Sequence, residues 1–281
     1  MDQIKQKCFD ILIEIQRVCT LADIPFFLYA GSLLGAVRHK GFIPWDDDID
    51  VVMMRRDYDR FIVACGKYLD NSRYELQTID SDPYASNPWM KLHDKNTAFI
   101  SGIRREGAME GINVDIFPVD NAPDSEFLLK MRSLIIDKVN FLYQYRFQER
   151  SKTATWKMRL FQALISLIPP WNEMKFKKVY DQYLQKYNTK QTENVVYLSN
   201  RKYMRKLIPK RCFESTVLLE FEGEMFPAPG GWQEVLTRLY GKDFMKLPPR
   251  DQQVTVHGSA VIDTENSWRV YKRGENGYEK I

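Results

Sequence analysis

Gly41-Phe42-Ile43-Pro44-Trp45-Asp46-Asp47-Asp48-Ile49-Asp50-Val51-Val52 places four aspartates within the five positions 46–50, directly ahead of a β-branched run. Ile49 to Met53 reads as a short buried strand. On an extended chain successive side chains alternate faces, so Asp48 and Asp50 are expected to point one way while Ile49 and Val51 enter the core. The same parity puts Asp46 on the Asp48 face, and leaves Asp46 and Asp47 open between ligand and supporting roles. Two carboxylates held on one face repel each other unless a cation sits between them. Hard oxygen ligands of this kind suit Mg²⁺, which takes a few carboxylates and completes its shell with phosphate oxygens and water.

Upstream, Phe26 to Ala30 reads as a buried strand, Gly31-Ser32 as a turn, and Leu33 to Arg38 as a short helix. Glycine lets the backbone approach a ligand, and a helix N-terminus with a hydroxyl favours phosphate. Downstream, Asn113-Val114-Asp115-Ile116-Phe117 sets a carboxylate between β-branched residues, as on a buried strand, where its charge needs a partner. Each piece also has a plain reading: a solvated or calcium-type loop for the Asp run, an N-cap for Gly-Ser, half of a buried ion pair for Asp115. Their order is what selects a metal-dependent site: strand, Gly-Ser and helix, then Asp-x-Asp on a strand, then hydrophobic-Asp-hydrophobic on a later strand.

Further out, residues 4–22 carry Ile4, Cys8, Ile11, Ile15, Val18 and Ala22 at helical spacing, and Pro25 ends the pattern. A second helix is expected over 57–69, with strands over 74–79, 89–93 and 113–117, mostly helix over 125–188, and a mixed tail over 220–281. Turn-like clusters at Asn121–Asp124 and Tyr187–Thr189 suggest three parts: a catalytic core over 1–122, a basic helical lobe over 123–211, and a segment over 212–281 that packs back on the core. The fold class is α/β (α+β), a mixed-sheet core with an appended, mostly helical lobe.

The 281 residues are 44% hydrophobic and carry a net charge of +4, which excludes disordered and collagen-like chains. Met1 to Lys5 lacks a secretory pattern, and the longest apolar run, Phe161 to Ile168, stops at Pro169-Pro170. The four cysteines (Cys8, Cys19, Cys65 and Cys212) are far apart, and a soluble, reduced, cytoplasmic protein is expected. The charge is divided. Residues 1–120 hold 14 basic and 19 acidic side chains, whereas residues 130–211 hold 19 Lys+Arg against 5 Asp+Glu. That basic middle reads as a solvated helical surface, or as a face for an anionic membrane or a phosphate-bearing polymer. Trp156 to Trp171, with Lys157 and Arg159, has the composition of an interfacial helix, core packing being the plainer reading. No nucleic acid is expected as partner, because the basic residues follow no known motif and lack interleaved stacking platforms.

The run from Gly31-Ser32-Leu33-Leu34-Gly35 through Arg38-His39-Lys40-Gly41 to Asp50 resembles the LicD family of phosphocholine transferases, within the nucleotidyltransferase superfamily. Asp115-Ile116-Phe117-Pro118 resembles that family's second signature, and Phe221-Glu222-Gly223 with Leu239-Tyr240-Gly241-Lys242-Asp243-Phe244 resembles its tail. The likeness is best over 20–120, returns over 220–257, and is unspecific in between. Fukutin-related sugar-phosphate transferases share the Pro44-Trp45-Asp46-Asp47-Asp48-Ile49-Asp50 core, so the motif identifies the reaction better than the cargo.

The resemblance implies a nucleotidyltransferase-like core that transfers phosphocholine from CDP-choline to a sugar hydroxyl of a teichoic acid or other surface-glycan precursor, releasing CMP. The acceptor would be lipid-linked inside the cell, and the enzyme cytoplasmic or peripheral at the inner membrane face. On this reading Asp48, Asp50 and Asp115 are catalytic and hold one or two Mg²⁺ ions, Mn²⁺ being the alternative, and Asp115 also suits the role of proton acceptor. Gly31 and Ser32 would hold a donor phosphate, with Arg38 and Lys91 as further phosphate-binding candidates. Choline is a quaternary ammonium and needs aromatic faces, for which Trp45, Trp89 and Tyr84 are candidates against plain packing roles. The three histidines, His39, His93 and His257, have no metal-ligand spacing. Competing readings are a transferase of another polyol or sugar phosphate, a true nucleotidyltransferase releasing pyrophosphate, a non-catalytic metal-binding scaffold, and a nucleic-acid binder.

Overall fold

Helix α1 (Gln3–Ala22) starts where the Asp2 carboxylate accepts the Lys5 N–H at 2.9 Å. Its buried face carries Cys8, Ile11, Leu12, Ile15, Val18 and Cys19, and it stops at Asp23, which enters the left-handed region at φ 50° two residues before Pro25. The computed structural model describes residues 2–82, 84–85, 89–100, 107–147, 173–197, 206–254, 260–274 and 277–281. Trp156 to Trp171 and His257 lie outside the described residues.

After α1 come β1 (Phe27–Leu28), α2 (Ala30–His39), β2 (Asp50–Met54), α3 (Arg55–Tyr68), β3 (Tyr74–Gln77), β4 (Met90–Asp94), β5 (Ala98–Ile100) and β6 (Asn113–Asn121). Then follow α4 (Glu126–Phe147), α5 (Glu173–Leu184), β7 (Asn194–Val196), β8 (Ile208–Pro209), β9 (Thr216–Phe221), β10 (Glu224–Pro229), α6 (Trp232–Tyr240), β11 (Val261–Asp263), β12 (Tyr271–Gly274) and β13 (Gly277–Lys280). The main sheet has seven strands, in the order β1-β2-β6-β4-β3, with β7 continuing from the far end of β6 and β8 beyond it. Only β2 and β6 run parallel among these pairs, so the sheet is mixed and the class is α+β, as expected. The parallel pair needs a long crossover, supplied by α3, β3, β4 and β5. Helices α1 and α3 pack on the sheet, whose Val51, Met53, Leu92, Val114 and Ile116 are fully buried.

Three sequence expectations change. β1 spans two residues rather than 26–30, because Ala30 takes a left-handed φ of 44° and turns the chain at once into α2. Gly31-Ser32 is therefore not a turn ahead of a helix; both residues lie within the first turn of α2. The ladder of β2 begins at Asp50, where β6 first supplies a partner, so Asp46 to Ile49 are loop and strand parity does not govern Asp48.

The opposite end of the parallel pair is locked by charge. Arg55 Nε and Nη2 donate to Asp120 Oδ1 and Oδ2, each at 2.8 Å, and Arg55 Nη1 lies 3.1 Å from Asp181 Oδ1 on α5. Asn188 Nδ2 donates to Asp120 Oδ1 at 2.6 Å. This buried cluster ties α5 to the sheet beside a small core of Ala122, Leu129, Ile136, Tyr180, Leu184 and Val196. Bidentate pairing of this kind is geometrically demanding, and removing one partner strands the other charge. Asp120→Ala is expected to cost about 3–5 kcal/mol in urea unfolding, while Arg55→Met with Asp120→Leu recovers most of the loss. An unchanged midpoint in Asp120→Ala would refute the lock.

Candidate active site

One row of side chains crosses four strands on a single face. Asp50 on β2 is the parallel register partner of Asp115 on β6, Asp115 is opposite Lys91 on β4, and Lys91 is opposite Gln77 on β3. Neighbouring strands lie about 4.8 Å apart, so the backbone itself sets the two carboxylates side by side. Lys91 Nζ approaches Asp115 Oδ1 at 2.6 Å and donates to Asn113 Oδ1 at 3.1 Å. Burial pushes the Asp50 carboxyl well above the usual carboxylate range, and the like charges of Asp48, Asp115 and Asp46 push it further, with Lys91 opposing them.

Asp50 is fixed from its backbone outward. Its N–H donates to Ser32 Oγ at 2.8 Å, its carbonyl accepts the Tyr29 N–H at 3.0 Å, and the Asp115 N–H donates to the neighbouring Ile49 carbonyl at 3.1 Å. Ser32 thus grips the acidic row directly through its hydroxyl oxygen. Gly31 has a steric reason: a Cβ there would sit 2.8 Å from Asp46 Oδ2, so the missing side chain lets Asp46 lie against the first turn of α2. The tail supplies a clamp. Glu222 (φ 52°) and Gly223 (φ 85°) form the two-residue turn of the β9–β10 hairpin, a left-handed pair suited to a tight hairpin. Glu222 Oε1 accepts the Phe42 N–H and its own N–H donates to the Lys40 carbonyl, both at 2.9 Å. Side chains at Gly35 or Gly41 would collide with the Gly41 carbonyl and with Glu222 respectively. The Phe221-Glu222-Gly223 motif therefore holds the loop that delivers the aspartates.

Arg38 and Trp45 stand apart from this row. Arg38 is seven residues along α2 from Gly31, about 10 Å by helical rise. Its Nη1 donates to the carbonyls of Phe244 (3.1 Å) and Lys246 (3.3 Å), and its Nε donates to His39 Nε2 at 2.9 Å. The Trp45 ring lies 6.0 Å from that guanidinium and 6.3 Å from the His39 ring. Burial, then Arg38, lowers the His39 pKa, in keeping with Nε2 acting as acceptor from Arg38. Trp89 is near the row: its ring packs 5.1 Å from Phe117, two residues beyond Asp115 on the same face, and its Nε1 is buried without a hydrogen-bond partner. Tyr197 meets Phe117 edge-on at 4.4 Å and Tyr29 at 5.6 Å, completing an aromatic wall. Sequence assigns no role to Tyr197, Glu222, Asn113 or Gln77, although Asn113 lies in the stretch around Asp115 and Glu222 in Phe221-Glu222-Gly223.

The fit to a hard cation rests on chemistry present here. Asp115 Oδ1 is buried and accepts no hydrogen bond, its Lys91 contact being an ion pair, while Asp50 is crowded by like charge. Among the described residues no three His, Cys, Asp or Glu side chains are disposed to enclose an ion by themselves. The carboxylates present fit an ion of the Mg²⁺ type, which draws the rest of its shell from phosphate and water.

Comparison with known proteins bears on this arrangement. Residues 23–132, which contain the row from Ser32 to Asp115, match the LicD/FKTN/FKRP nucleotidyltransferase domain. The lipopolysaccharide cholinephosphotransferase LicD of Haemophilus influenzae is 31% identical over 255 residues, covering 89% of this chain and 93% of that protein. Uncharacterised proteins of Rickettsia typhi and Rickettsia prowazekii are 38% and 39% identical over 53 and 49 residues, covering 19% and 17% of this chain and 17% and 18% of their own lengths. With a relative aligned along nearly its whole length and the domain match spanning the acidic row, the chain belongs to the LicD family.

Proposed function

We propose that this chain transfers phosphocholine from CDP-choline to a hydroxyl of a surface-glycan precursor such as a teichoic acid unit, releasing CMP. The observation that carries the reading is the register pairing of Asp50 with Asp115 beside Lys91. The near-full-length similarity to a lipopolysaccharide cholinephosphotransferase supports the cargo. In the proposed step the acceptor oxygen bonds to the choline-bearing phosphorus, the bond from that phosphorus to the oxygen of CMP breaks, and Asp115 takes the hydroxyl proton. Lys91 pairs with Asp115 and offers positive charge to the transferring phosphoryl group. Mg²⁺ or Mn²⁺ held by Asp48, Asp50 and Asp115 would neutralise the diphosphate and the charge that develops on CMP. Ser32 positions Asp50, and the first turn of α2 at Gly31 receives a donor phosphate. Trp89, the half-buried member of the aromatic wall, offers a face to the trimethylammonium group, with Trp45 as the alternative, while Arg38 at the far end of α2 stays a phosphate-binding candidate.

The decisive assay incubates the chain with CDP-choline, Mg²⁺ and candidate glycans and identifies the nucleotide product. CMP together with phosphocholine-modified glycan is expected; release of pyrophosphate would point to a nucleotidyltransferase instead. Asp50→Asn and Asp115→Asn should each lower turnover by at least about 100-fold. Asp50→Asn should also raise the melting temperature without metal, since it removes charge repulsion. Mg²⁺ should raise the melting temperature of the unmodified chain and leave the Asp50→Asn, Asp115→Asn double variant unmoved. Undiminished turnover in either single variant would sink the assignment.

We also propose that the chain works at the inner face of a membrane, where a lipid-linked acceptor is presented. No described helix is long and apolar enough to cross one. The support is α4, which buries Leu129, Arg132, Ser133 and Ile136 but exposes Phe127, Leu128, Met131, Leu134 and Ile135. At 3.6 residues per turn the exposed set covers an arc of about 120°, within a region holding 19 basic against 5 acidic residues over 130–211. An apolar helical face within a basic stretch of sequence suits anionic lipid. The chain should sediment with vesicles containing phosphatidylglycerol and not with neutral ones, and Phe127→Ser with Met131→Ser should abolish the difference. Equal binding to both vesicle types at low salt would remove this part.

A further inference from the structure

His93 lies two residues beyond Lys91 on β4 and is 1% exposed. Its Nδ1 is 3.0 Å from the Gly111 carbonyl oxygen, and its Nε2 is 3.3 Å from Gln77 Oε1. Both partners are acceptors, so both ring nitrogens must carry hydrogen. The Gln77 amide cannot simply be turned round. Its Nε2 donates to Asp82 Oδ2 at 2.6 Å, and the reversed amide would set two oxygens face to face unless Asp82 held the proton. In either arrangement the chain of Asp82, Gln77 and His93 binds one proton more than a carboxylate and a neutral imidazole. Asp82 also accepts the N–H groups of Met109 (2.9 Å) and Tyr84 (2.8 Å), which favours the carboxylate and puts the proton on His93.

The network continues to the acidic row. Gly111 oxygen also accepts Asn113 Nδ2 at 3.1 Å, Asn113 Oδ1 accepts Lys91 Nζ, and Lys91 pairs with Asp115. A side chain at Gly111 would collide with the Asp94 carbonyl and touch Trp268, so the backbone runs close against both. We propose that His93 is a positioning residue held as a buried imidazolium by Gln77 and Asp82, and that this proton keeps Gly111 and Asn113 where Lys91 and Asp115 need them. The kinetic part rests on the transferase reading; the protonation state does not.

Among the described residues, the charged side chains next to His93 on β3 and β4 are paired. Glu75, opposite it on β3, pairs with Arg269, and Asp94, next on β4, pairs with Arg73. The ring of Trp268 stands 6.1 Å from the imidazole, and Lys91 is the cation on its own strand. Release of the proton as pH rises turns one acceptor contact into facing lone pairs and frees either Gly111 or Gln77. The part of the activity that depends on this proton is therefore lost as pH rises through that release.

Nitrogen NMR of the full chain labelled at histidine tests this, with His39→Gln and His257→Gln variants assigning His93 by elimination. Two protonated ring nitrogens on His93 are expected at pH 8, where an ordinary imidazole with pKa about 6.5 is almost wholly neutral. A neutral single-tautomer spectrum at pH 7 would overturn the proposal. Gln77→Met leaves both charged groups in place and cuts the relay. It should lower kcat about tenfold with KM unchanged, and move the alkaline limb of the kcat profile to lower pH. An unmoved limb with an intact fold overturns the positioning role. An imidazolium signal in a chain that releases no CMP instead overturns the transferase reading and leaves the relay standing.

Discussion

The pairing of β2 with β6 is the constraint on which the remainder depends. Parallel register sets Asp50 against Asp115 at one end and carries Met54 opposite Val119 at the other, so that Arg55 and Asp120 follow in step. One register thus builds a repulsive pair where the sheet opens and an attractive, bidentate pair where it closes. A slip of one residue would break both and would turn Val51 and Ile116 out of the core. The buried Arg55–Asp120 pair, with Asp181 and Asn188 around it, is what holds two carboxylates in a contact they would not adopt unaided.

The elements around the acidic row all act on its backbone. Ser32 and Tyr29 take the amide and carbonyl of Asp50, and Glu222 takes the amide of Phe42 at the start of the loop. Ala30 accepts a left-handed φ of 44°, a conformation that costs about 1–3 kcal/mol in a non-glycine residue, and in doing so swings α2 across the end of β2. Strain and like charge collect in the same place, which is the expected signature of a site arranged for a ligand rather than for stability.

Local pattern made part of this legible. Ile49 and Val51 alternate into the core, and Val114 and Ile116 flank Asp115, all fully buried as their spacing implies. The helix of 4–22 and that of 57–69 were equally plain, because their apolar residues recur at helical spacing. What escaped was either a local exception or a distant partner. A turn made by an alanine in a glycine-like conformation hides behind the glycine that follows it, so Gly31 was read as the turn itself. The ladder begins only at Asp50, where β6 offers hydrogen bonds, so strand geometry does not extend to Asp48. Glu222 and Phe42 are 180 residues apart, and Arg55 and Asp120 are 65 apart. No periodicity connects positions so distant; only the folded register does.

The net charge of +4 conceals how separately the two signs act. An anionic donor approaching Asp50 and Asp115, with Asp46, Asp47 and Asp48 on the loop ahead of β2, meets like charge, and exposed charges more than about 8 Å apart are largely screened at physiological ionic strength. Neutralisation has to be local. Lys91 supplies one positive charge in contact with Asp115, and the burial that raises the Asp50 carboxyl shows that this is not enough to satisfy the row. On the proposed reading the shortfall is the reason the reaction needs a divalent ion that arrives with the substrate. It is also why a proton fixed on His93, three contacts back along the network, matters to the placement of the only lysine in the row.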